Sequence, residues 1–117
     1  MNSWREGSGR QRALVTAWLE ARTTLTHRSD PVPEPFRTRP SCGCGRCPTF
    51  EVLGLILDPA EDGWPAKVEG DAASADGSKP CGILVFAHES DAEFEIYPYG
   101  DDAVTLEDLA EVSFHLA

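Results

Sequence analysis

The stretch Cys81-Gly82-Ile83-Leu84-Val85-Phe86-Ala87, followed by His88-Glu89-Ser90-Asp91 and then Ala92-Glu93-Phe94-Glu95-Ile96-Tyr97, decides the fold of this chain. Two runs rich in β-branched and aromatic residues flank a short polar turn, which is the pattern of a β-hairpin. In the second run Phe94 and Ile96 alternate with Glu93, Glu95 and Tyr97. That period of two predicts one buried face and one wet face. An antiparallel sheet built outward from this hairpin follows.

Upstream of the hairpin, Thr49 to Leu57 is an almost continuous apolar run closed by Asp58-Pro59, and it predicts another strand. A weaker strand is expected around Ala66 to Gly70, after the turn-rich Gly63-Trp64-Pro65, and Asp71 to Pro80 reads as a loop. Downstream, Thr105 is placed to cap a short helical turn, and Val112, Phe114 and Leu116 alternate with Ser113 and His115 as a last strand would. At the other end, Leu14, Val15, Trp18, Leu19 and Leu25 recur at helical spacing, with Arg10, Arg12, Glu20 and Arg22 on the remaining face. Ser8 with Gln11 makes a capping box, so a helix over about residues 9–25 is predicted. From Asp30 to Pro40 four prolines predict an extended connector in which neither helix nor ladder persists. The expected fold is α+β: an N-terminal amphipathic helix packed on an antiparallel β-meander of four or five strands. It forms one domain over residues 1–117, divided into a helical segment (1–29), the connector (30–40) and a cysteine motif with the meander (41–117).

The cysteines suggest a staple for that fold. Cys42, Cys44 and Cys47 lie within six residues, and Cys81 is the fourth and last. Gly43 and Gly45 let the backbone curl, as a tetrahedral site with Zn–S bonds of about 2.3 Å demands. Arg37, Arg39, Arg46 and Lys79 stand close in sequence, and cations lower thiol pKa values. Zinc on Cys42, Cys44, Cys47 and Cys81 is the expected cofactor, pinning the connector to the sheet. His27 or His88 would replace a missing fourth thiolate. A disulfide or buried thiols remain open, as does a redox pair at Cys44 and Cys47, although that chemistry prefers a helix N-terminus and here a strand-like run follows.

The segment Cys42-Gly43-Cys44-Gly45-Arg46-Cys47-Pro48, with Gly82 to Phe86 and Glu93 to Tyr97, resembles a group of small bacterial proteins that carry a C-G-C-G-x-C-P motif ahead of a strand. The resemblance implies a β-meander core. It implies no activity and no functional residue.

Charge bounds the partners. The net charge is −10, yet residues 1–47 hold eight arginines against four acidic residues, while residues 48–117 hold two lysines against sixteen. Such a C-terminal part repels nucleic acid and suits a basic protein partner. Glu93, Glu95, Asp101 and Asp102 are the candidate partner-binding residues. No apolar run approaches the ~18 residues of a membrane span, and the N-terminus lacks the apolar core of a signal peptide, so a cytoplasmic, non-membrane protein is expected. Zinc-protease, deaminase and phosphate-loop signatures are absent. The expected function is a non-enzymatic, zinc-stabilised interaction module, the alternative being an inhibitor or immunity protein whose acidic face blocks a basic nuclease-like toxin.

Overall fold

The computed structural model describes residues 3–41 and 47–117. It has seven strands: β1 (Arg5–Glu6), β2 (Arg37–Pro40), β3 (Phe50–Leu53), β4 (Val68–Ala73), β5 (Cys81–Ala87), β6 (Asp91–Pro98) and β7 (Glu111–Leu116). They form one antiparallel sheet in the order β1-β2-β3-β6-β5-β4-β7. An 18-residue helix α1 (Gly9–Thr26), a single turn α2 (Pro59–Asp62) and a 3₁₀ turn (Leu106–Asp108) complete the α+β fold. None of the described helices is long and apolar enough to cross a membrane.

The hairpin at the centre is as the sequence predicts, with Ile83 opposite Ile96 and Val85 opposite Phe94. The sheet around it is larger than the four or five strands expected, and it joins two runs of sequential antiparallel neighbours, β1-β2-β3 and β4-β5-β6, where a single meander is expected. The chain leaves β3, crosses to β4 and returns through the second run to pair β6 with β3, a Greek-key order. Two of the extra strands come from segments read as non-strand. The connector ends in β2, where Thr38 pairs with Val52 on one side and Arg5 on the other, and proline is confined to its last residue, where a missing N–H costs least. Strand β4 continues to Ala73, into the predicted loop, because β5 and β7 hold it on both sides. Conversely, the apolar run from Thr49 is shortened. Gly54 adopts φ +84°, which ends β3 and sends Leu55 and Leu57 into the core while Ile56 faces outward.

Helix α1 starts as predicted: Ser8 Oγ accepts from Gln11 N–H, and Gln11 Oε1 accepts from Ser8 N–H. Its buried residues Leu14, Val15, Trp18 and Leu19 lie on the stripe expected. Trp18 meets Phe94 edge-on at 5.6 Å between ring centroids, Phe94 stacks on Phe50 at 5.5 Å, and Trp18 Nε1 donates to the Val68 carbonyl at 3.0 Å. The indole is thus buried with its one polar group satisfied.

Arg22, expected on the solvated face, is 1% exposed. It stands one helical turn beyond Trp18, so the buried stripe continues through it. Its guanidinium donates to both oxygens of Asp62, at 2.8 and 3.2 Å, and to Asp30 at 2.7 Å. Burial pushes the Asp62 carboxyl up, but the hydrogen bonds from Arg22 and from the Asp58 N–H outweigh it and hold it below the usual carboxylate range. Asp62→Asn should therefore cost about 3–5 kcal/mol at neutral pH, since it leaves a buried cation without a full counter-charge. Because the Asp62 pKa is depressed, this stabilisation is complete above the unfolded carboxylate range, about pH 4, and lost as pH falls through the lower folded value. Denaturation curves of wild type and variant should converge in acid, whereas Arg12→Ala, at the exposed Arg12–Glu34 pair, should leave the midpoint in place.

Candidate functional site

The helix and the 3₁₀ turn pack on the face that carries Phe94, Ile96, Ile83 and Val85. The opposite face carries Glu51, Phe86, Leu84, Glu69, Asp71, Glu93, Glu95 and Tyr97, by the strict alternation of β-strands. No helix of the described residues lies over it.

Two aromatic pairs mark its ends. Trp64, in the connection after α2, meets Phe86 edge-on at 5.1 Å, donates Nε1–H to the Ala87 carbonyl and is 62% exposed. Tyr97 and Tyr99 meet at 5.5 Å, and the Tyr97 ring lies across Gly82, where a Cβ would come within 2.2 Å of it. Glycine is required there by contact with the ring. The Tyr99 hydroxyl donates to Asp71, a bond that raises its pKa well above the phenolic value. Between the pairs, Leu84 stands opposite Glu95.

Carboxylates gather beside Phe86. Register places Glu51 opposite Glu93 across the β3–β6 pair, and His88 in the hairpin turn brings Nε2 to 2.9 Å from Glu93 Oε1. Ligand atoms of Glu51, His88 and Glu93 all lie within 4.8 Å of one another. Arg39 bonds Glu51 through Nε and packs its guanidinium 4.2 Å from the centre of the Trp4 ring. Asp91, two residues before Glu93 and so on the same face, is buried, and its Oδ2 has no hydrogen-bond partner. Burial raises its pKa and the charges of Glu51 and Glu93 add to this, against the opposing pull of His88 and Arg39.

The residues singled out from sequence are distributed unevenly. Glu93 and Glu95 lie on the outer face, as the alternation predicts. Asp101 and Asp102 are exposed in the connection beyond Pro98, roughly 17 Å or more along the chain from Glu93 at 3.4 Å per strand residue, and do not join the Glu93 cluster. Cys42 and Cys44 fall outside the described residues. Cys47 is exposed ahead of β3, and Cys81 opens β5, with β6 between those strands. Cys81 is fully buried on the helix side, where burial and the nearby Asp71 charge push its thiol pKa up. After Cys47 the chain enters a strand, without the helix that redox dithiols use. Sequence reasoning missed Glu51, Asp91, Arg39 and Trp64, because only the β3–β6 pairing and the β5–β6 turn bring them to one surface.

A thiol in that environment favours the neutral form. In native buffer with a strong chelator, Cys81 should be alkylated no faster than the protein unfolds, as read by peptide mass mapping. Rapid labelling once metal is stripped would instead show that an ion had been shielding it.

No protein-family model, curated protein or solved structure matches this chain, so the chemistry of the outer sheet face is the guide to its function.

Proposed function

We propose that this protein is a binding module whose outer sheet face takes a basic protein partner. The observation that carries the reading is the composition of that face. Trp64, Phe86, Tyr97 and Tyr99 alternate with Glu93, Glu95 and Asp71 on a sheet surface that no helix covers among the described residues. Aromatic side chains are enriched at protein interfaces, and carboxylates beside exposed rings suit arginine and lysine through ion pairing and cation–π contact. The acidic surplus of residues 48–117 would speed encounter with such a partner.

Immobilised protein should retain basic proteins from cell extract at low salt and release them at high salt, because charge-steered association is screened within a Debye length of about 8 Å at physiological ionic strength. Glu95→Lys should remove the same proteins, and Phe86→Ala should weaken their retention at both salts. Retention that ignores salt and Glu95→Lys would defeat the reading.

In this reading the four cysteines hold a zinc staple, to which Cys47 contributes from just ahead of β3. The order β3-β6-β5 supports Cys81 as the fourth ligand by placing its strand one removed from β3, and the burial of its thiol argues for another donor. Native mass spectrometry should find about one zinc per chain. Zinc content unchanged in Cys81→Ser would move the fourth ligand elsewhere.

A further inference from the structure

We propose that Glu51, His88 and Glu93 form a binding site for one divalent first-row transition-metal ion on the outer sheet face, with Asp91 as an adjoining acceptor. The site is separate from the cysteines. It uses one imidazole and carboxylate oxygens, a donor set that suits zinc, iron, cobalt or manganese and leaves room for water.

Three independent observations carry it. The first is geometry: His88 Nε2 and Glu93 Oε1 are 2.9 Å apart, close to the spacing of two neighbouring ligands on an ion with bonds of about 2.1 Å. The third donor, from Glu51, lies within 4.8 Å of both. The second is the orphaned Asp91 Oδ2. Asp91 is 6% exposed and stands two residues before Glu93 on the same face of β6, next to the Glu51–Glu93 pair in the β3–β6 register. A buried carboxylate oxygen without a donor is costly and rare in folded proteins. A cation in the cluster, directly or through a bound water, supplies the missing partner. The third is charge: the two ligand carboxylates, Glu51 and Glu93, stand opposite one another with one guanidinium, Arg39, paired to Glu51, and the surplus negative charge favours a cation. Arg39 fixes the Glu51 carboxylate from behind, the role that outer hydrogen-bond partners play at metal sites.

The site goes beyond the partner-binding reading, and the two fail separately. Glu95→Lys should abolish partner retention without changing metal affinity, and His88→Ala should do the reverse.

Cobalt(II) tests the proposal on the full chain, because thiolate ligation adds a sulfur-to-cobalt charge-transfer band that nitrogen and oxygen ligands lack. Titration should show a cobalt site without that band, and His88→Ala and Glu93→Gln should each weaken it at least tenfold. Asp91→Asn should weaken it less. Manganese(II) gives a readout on the wild type that needs no variant: amide NMR signals of Val52 and Ala92 should broaden before the rest of the sheet. Cobalt bound only with the charge-transfer band and indifferent to His88→Ala and Glu93→Gln would overturn the proposal. So would manganese broadening that spares Val52 and Ala92.

Discussion

A single helix has to close one face of a seven-stranded sheet, and this constraint governs the rest of the molecule. At 1.5 Å per residue, α1 is about 27 Å long and about 10 Å wide, whereas seven strands at about 4.8 Å spacing span roughly 29 Å. The helix therefore covers only a band across the sheet, from Gln11, which accepts from Thr38 on β2, to Trp18, which donates to Val68 on β4 and packs its ring on Phe94. Irregular segments seal the flanks: Phe36 from the connector, Leu55 and Leu57 after β3, and Val104 with Leu106 and Leu109 ahead of β7. The extents of 34 × 33 × 22 Å are those of two layers. Phe114 crosses the gap at Gly70, where a Cβ would lie 2.7 Å from its ring, and so ties the edge strand β7 to the core.

Two layers leave one sheet face without a cover, and that face is where the chemistry gathers. Alternation along β5 and β6 sends every second residue there, so carboxylates and aromatic rings interleave as a consequence of the pleat. The opposite charges of the two chain segments meet partly within the fold, through Arg22 with Asp62, Arg28 with Glu61 and Arg39 with Glu51. Glu69 and Asp71 on β4 and Glu93 and Glu95 on β6 have no arginine partner among the described residues, and they give the outer face its sign.

Buried charges in this protein fall into two kinds. Arg22 is enclosed but satisfied by Asp62 and Asp30, and it locks the end of α1 to α2. Asp91 is enclosed and unsatisfied on Oδ2. The first arrangement recovers its desolvation cost through charge-assisted hydrogen bonds. The second has no hydrogen bond on Oδ2 among the described residues, and a group that costs stability in isolation is expected where a ligand completes it. That contrast separates the structural ion pair from the candidate metal site.

Elements with local signals are legible in the sequence. The Ser8 capping box with the stripe Leu14, Val15, Trp18 and Leu19 specified α1, and the alternation around Phe94 and Ile96 specified the hairpin and which face Glu93 and Glu95 occupy. Thr105 and the pattern of Val112, Phe114 and Leu116 located the end of the chain. Features that depend on distant partners emerge only once the chain is folded. Strand β2 exists in a proline-rich segment because β1 and β3 supply its hydrogen bonds, and β4 extends because β5 and β7 flank it. Arg22 reads as solvated until Asp62, forty residues away, is folded against it. The Glu51, His88 and Glu93 cluster was equally illegible, because strand pairing between β3 and β6 is a long-range choice that no periodicity within either strand encodes.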